Sequence, residues 1–318
     1  MAANEPGTRM KSAVMKKVTN AEELKALLDE AGLSSSDNYV VKLNWFFQGK
    51  GFYTDAKTLQ LLLECLNNVT VVEAYTYARN DGTRKITADN VRESWHWIRE
   101  QDRKFLRETG LGSLLKEYDV EYVNITEEAW SNRVANAENV RRLVEAKYAS
   151  VMRKELYEQV PRCIYDLRGR KLISFSKLKQ QRSNRISATL KNLFGLIPDP
   201  DRRAWHGEKD RDLAQSIVDV NKVYWSLFET IGLCEMIYAA IRYVEDGAYS
   251  LPWGYRYDLI ENLGLAVCGR NLVSVDAYVS QLFGIDPQKV EHINLAAKVF
   301  GRWPQEIVAE AIQRRIPL

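Results

Sequence analysis

The tightest constraint on this chain is a strand, helix, strand succession between Tyr39 and Glu73. Tyr39-Val40-Val41-Lys42-Leu43-Asn44-Trp45 is rich in β-branched and aromatic residues, Thr54–Leu66 repeats leucine at helical spacing, and Val69–Glu73 is again β-rich. That is the length of a right-handed βαβ unit, in which the two strands lie parallel and the helix packs on the sheet.

The rest of the pattern extends this unit. Thr19-Asn20-Ala21-Glu22-Glu23 is a capping sequence for a helix with Leu24, Leu27 and Leu28 on one face and Gly32 at its end. Further strands are expected at Val120–Val123, Lys171–Phe175, Thr230–Cys234 and Leu263–Cys268. Helical patterns cover about 87–117, 127–160, 187–196, 208–222, 274–283, 287–300 and 304–313. No repeat or low-complexity linker divides the chain. The expectation is one α/β domain over 19–318: a mixed, mainly parallel sheet flanked by helices in three layers, with a helical insertion at about 87–160. Residues 1–18 mix Pro, Gly, Ser and Lys without periodicity and read as a flexible basic tail.

Composition narrows the function classes. The formal charge of +3 resides in that tail, where Arg9, Lys11, Lys16 and Lys17 face only Glu5. The balanced remainder argues against nucleic acid as a partner. Cysteines 65, 163, 234 and 268 are too widely spaced for a zinc ribbon or a clustered iron–sulfur motif, so no iron–sulfur cluster is expected. No signal-like segment opens the chain and no apolar run reaches bilayer length, which predicts a cytoplasmic protein with no membrane contact. P-loop, GxGxxG, GxSxG and HExxH motifs are absent, removing the usual support for nucleotide, hydride, esterase and metalloprotease readings.

In open parallel sheets, ligands bind at the carboxyl ends of the strands. Lys42 and Asn44 end the first strand, Glu73 the second, Lys177 and Lys179 follow the third, Glu235 the next, and Arg270 leads from the last toward Asp276. Seven Lys or Arg residues lie between 177 and 203 with no acid before Asp199, a local field suited to phosphate or carboxylate. Clustered lysines depress one another's pKa, so Lys177, Lys179 and Lys191 are candidate bases or nucleophiles. His206, in an irregular loop, is the best proton-transfer candidate, whereas His96 and His292 sit in helical patterns and read as structural. Lys42, Asn44, Asn192 and Arg270 are expected to hold the substrate, and Trp253, with Tyr249, Tyr255 and Tyr257, to line a pocket for a planar group. Glu73, Glu235 and Asp276 are candidate ligands for a divalent metal, which no spacing specifies.

The segment order resembles the uncharacterised family catalogued as domain of unknown function 362. The resemblance rests on Lys42-Leu43-Asn44-Trp45, on Glu73, and most specifically on Lys177-Leu178-Lys179 with Thr189-Leu190-Lys191-Asn192-Leu193-Phe194-Gly195 and His206. Gly269-Arg270-Asn271-Leu272-Val273-Ser274-Val275-Asp276-Ala277 and Leu282-Phe283-Gly284 complete it, over roughly 35–315. Many members place a histidine where this chain has Gln181 and an aspartate where it has Asn271, and some carry ferredoxin-like cysteine clusters that are absent here.

These readings lead to an enzyme of small-molecule metabolism, specialised metabolism included, acting on an anionic substrate, aromatic ones included, its reaction class open. The alternatives are a non-catalytic small-anion binding or accessory protein and, behind it, a nucleic-acid-binding protein. Homo-oligomerisation is compatible with the aromatic content and is not decided by the sequence.

Overall fold

The βαβ unit forms where its pattern places it. In the computed structural model, which describes residues 12–79, 83–85, 87, 89–251 and 254–316, Val40 and Val41 sit at the centre of a sheet buried on both faces. This sheet contains β1 (Val14–Lys17), β2 (Asn38–Lys42), β3 (Asn68–Glu73), β4 (Glu121–Asn124), β5 (Lys171–Lys177), β8 (Glu229–Met236) and β12 (Leu265–Gly269). Its order is β1-β12-β8-β5-β2-β3-β4, with β4, β3, β2, β5 and β8 mutually parallel. β12 runs antiparallel to β8, and β1 antiparallel to β12.

Helices cover both faces, giving the expected three layers. On one face α1 (Ala21–Glu30), α2 (Ala56–Cys65), α3 (Trp95–Glu108) and α4 (Leu111–Glu117) build a core with Tyr39, Val41, Ile173 and Ile231. α5 (Ile125–Trp130), α6 (Ala137–Glu145), α7 (Glu155–Glu158) and α8 (Arg162–Asp166) follow β4 in the chain. The second core, around Val40, Val72 and Leu172, collects α9 (Thr189–Leu193), α10 (Leu213–Leu227), α11 (Leu272–Leu282), α12 (Glu291–Phe300) and α13 (Gln305–Gln313), together with α6 and α7.

Four features depart from the expectations. Val14–Lys17, read as tail, is an edge strand with Ala13, Val14 and Val18 buried. The segment read as a helical insertion is part of the sheet's own winding: the strand expected at Val120–Val123 forms as β4 and pairs parallel with β3, with α3 and α4 as the crossover between them. The helix expected over 127–160 is broken, with Asn132 at φ +55 and Asn136 capping α6. A second sheet was not anticipated: β6 (Lys179–Gln181), β7 (Arg185–Ser187), β9 (Ala239–Tyr243), β10 (Tyr249–Ser250) and β11 (Arg256–Glu261), in the order β10-β11-β9-β6-β7. No helix among the described residues is long and apolar enough to cross a membrane.

Candidate functional site

The carboxyl ends of β2 and β3, the strand β6 that continues from β5, and the loop after α9 enclose a cavity of about 1000 Å³. It brings together Lys42, Asn44, Glu73, Lys179, Lys191, Asn192 and His206 from the expected set. Gln181 lines it as well.

The floor is a buried ion pair. Lys42 Nζ lies 2.9 Å from Glu73 Oε1 and also donates to the Leu43 carbonyl at 2.6 Å. Glu73 further accepts the backbone N–H groups of Trp45 and Ala74, each at 3.0 Å, so its oxygens are engaged by protein donors. Burial pushes the Lys42 ammonium below its ordinary pKa, and Glu73 opposes that shift. Gly195 closes over the pair, since a Cβ there would lie 2.8 Å from Lys42 Nζ. Asn192 donates its amide to the Lys42 carbonyl at 3.1 Å and to Ser174 Oγ at 3.2 Å, tying α9 to β2 and β5.

Three cations around this floor have no carboxylate within ion-pair distance among the described residues. Lys179 donates to Asn44 Oδ1 and, at 3.1 Å, to the Lys177 carbonyl, and burial lowers its pKa to about 7. Lys191 makes no hydrogen bond among the described residues; its Nζ lies 3.6 Å over the Phe194 ring. Burial, then the positive field of Arg202, brings its pKa to about 7. Arg202 is held by the carbonyls of Ile197, Tyr75 and Gly195 at 2.9–3.1 Å, and burial lowers it to about 10.

His206 Nδ1 lies 2.7 Å from Asp210 Oδ1. A carboxylate only accepts, so in the neutral imidazole Nδ1 carries the proton and Nε2 holds the free lone pair. Burial and the nearby Lys191 charge lower the His206 pKa, with Asp210 opposing, which favours that neutral form. The cavity therefore pairs a fixed cationic field with groups able to move a proton near neutral pH.

Other expected site residues lie elsewhere. Lys177 and Glu235 form a buried pair at 2.5 Å, with Glu235 also accepting Ile237 N–H, and neither lines the cavity. Asp276 accepts Thr189 N–H and Oγ–H at 2.8 and 2.5 Å and Leu190 N–H at 3.1 Å, so it holds the start of α9 from α11. Burial raises its pKa to about 7. Arg270 sits at the opposite sheet edge because β12 runs antiparallel, and it bonds the Ala31 and Gly32 carbonyls and Glu229. Asn271, noted for replacing an aspartate, is the N-cap of α11, accepting from Val273 and Ser274. Trp253 lies outside the described residues; of its neighbours Tyr255 lines the cavity and donates to the Gln180 carbonyl at 2.6 Å.

The carboxylates do not fit a shared divalent ion. Glu73, Glu235 and Asp276 each serve protein donors, only Glu73 lines the cavity, and no group of three metal-ligating side chains occurs among the described residues. Two site residues were missed as such: Arg202, counted only within the basic run, and Asp210, whose i,i+4 spacing to His206 was the available signal.

No curated protein and no solved structure matches the chain significantly. A family model described as Domain of unknown function (DUF362) matches residues 40–281, a span that runs from within β2 into α11 and holds every lining residue of the cavity except Glu291. With that match covering well over half its length, the chain belongs to the family of domain of unknown function 362.

Proposed function

We propose that this protein is an enzyme of small-molecule metabolism acting on an anionic substrate with a planar ring. The observation that carries the reading is the convergence of Lys179, Lys191 and Arg202, all without carboxylate partners, on a cavity that also holds the His206–Asp210 pair. The cations seat the anion, and Asn44 and Asn192 orient what is attached to it. His206 Nε2 takes a proton from the bound molecule and, once charged, returns it. Trp45, Phe46 and Tyr255 supply apolar wall for the ring.

The test is native mass spectrometry of the purified chain followed by denaturation and identification of any released molecule. A stoichiometric small anion, lost in Lys191→Met and His206→Ala, supports the reading. Retention of the same molecule by both variants contradicts it. Gln181, at the position where the family resemblance implies a histidine, has no imidazole to move a proton and favours a second reading, a protein that binds the anion without turnover. In that case turnover of the released molecule is nil across pH 5–9 while binding persists.

A further inference from the structure

The cavity carries more positive charge than one carboxylate can balance. Eight of its lining side chains are Lys or Arg and three are Asp or Glu. Glu73 is spent on Lys42, Asp210 engages His206, and Arg203 already has Asp201. Near the floor this leaves Lys179, Lys191 and Arg202 facing one space with no carboxylate in ion-pair contact among the described residues; Glu235, Asp210, Glu73 and Asp199 act on them only at longer range, and Glu291 is the third lining acid. A monocarboxylate offers one negative charge and two oxygens to this set. A phosphate monoester brings about −1.5 to −2 charges near pH 7 and three strong acceptor oxygens, and a diphosphate brings more. The guanidinium also suits a phosphoryl group, since its N–H groups form a fork, while the lysines act as mobile point charges.

Size points the same way. Pockets for small ligands span about 300–1,000 Å³, and this cavity, about 1000 Å³, stands at the upper end of that range. Once the floor is filled by a phosphoryl group, much of the volume remains for an organic part, walled by Trp45, Phe46 and Tyr255.

We propose that the anion is phosphoryl: the ligand is a phosphorylated small molecule of about nucleotide size, its phosphate on Lys179, Lys191 and Arg202 and its ring against the aromatic wall. This rests on the reading of the cavity given above and narrows the ligand class.

The inference is tested by isothermal titration of the full chain with inorganic pyrophosphate, inorganic phosphate and phenylacetate, in two buffers of different ionisation enthalpy. Pyrophosphate is expected to bind at one site at least about tenfold more tightly than phenylacetate, with Lys191→Met and Arg202→Met each weakening it by at least about tenfold. Arg270→Ala, at the far edge of the sheet, leaves it unchanged. An anion beside Lys179, Lys191 and His206 favours their charged forms while the phosphoryl oxygens shed protons, and the two buffers give the net proton exchange on binding. Circular dichroism checks that each variant is folded. Phenylacetate binding without pyrophosphate binding overturns the phosphoryl assignment and leaves the anion reading standing. Pyrophosphate binding that survives Lys191→Met/Arg202→Met marks a surface-charge effect and overturns it too. Binding of none of the three overturns both.

Discussion

At the scale of single residues, the site is a compromise between stability and charge. Gly195 shows the steric side: a Cβ would press on Lys42 Nζ at 2.8 Å and Cε at 3.0 Å, and the lysine cannot retreat without leaving Glu73. Gly195→Ala is expected to cost about 1–3 kcal/mol in urea unfolding, the usual price of overpacking. Lys191 shows the electrostatic side. Its pKa falls to about 7 in the fold, whereas the unfolded chain titrates at about 10.4. Below pH 7 the folded state therefore carries an unfavourable ammonium at full cost, and that cost fades as pH rises from 7 toward 10. Lys191→Met is expected to raise the melting temperature at pH 6, to raise it less at pH 9, and to abolish anion binding. An equal gain at both pH values would contradict the assigned shift.

At the scale of elements, the sequence was most legible where apolar pattern and capping chemistry coincide. The βαβ unit and the first helix were readable because Val40, Val41 and the leucines of α2 carry the apolar pattern and Asn20 caps α1; the Asp55 cap of α2 appears only in the structure. Strand direction was not readable, since an alternating or apolar run looks the same in either sense. That is why Arg270 was placed on the wrong edge. The second sheet was hidden for another reason: β6, β7 and β10 are two or three residues long and polar, and their pairing comes from tertiary contacts such as Lys179 with Ile241. The acids of the supposed metal set belong to element junctions instead. Asp276→Ala strips a buried acceptor from three donors at the start of α9, and chemical denaturation should show a loss of at least about 2 kcal/mol. Added divalent metal should leave that variant and the parent equally far apart.

At the scale of the whole molecule, the sheet separates what binds from what supports. Of the five parallel strands, β2 and β3 bring their carboxyl ends to the cavity and β5 reaches it through β6, while β12 and β1 extend the sheet past β8 in alternating directions. The candidate site was legible to the extent that it lies on the parallel strands, through Lys42, Asn44 and Glu73, and illegible where a loop folds back, as with Arg202. The N-terminal strand follows the same logic. Four residues give too short a run for any period to show, yet Ala13, Val14 and Val18 are buried and the ladder covers the outer edge of β12. Deleting residues 1–18 removes two buried valines, worth about 1.5–3 kcal/mol each, and exposes a strand edge. The truncated chain is therefore expected to lose at least about 3 kcal/mol in urea unfolding and to self-associate in size-exclusion chromatography. Because the cavity lies at β2 and β3, with three strands between β2 and β1, its folded fraction should keep the pyrophosphate affinity of the full chain. Unchanged stability would show that the edge strand contributes nothing, and lost affinity in folded protein would show that the two ends of the sheet are coupled.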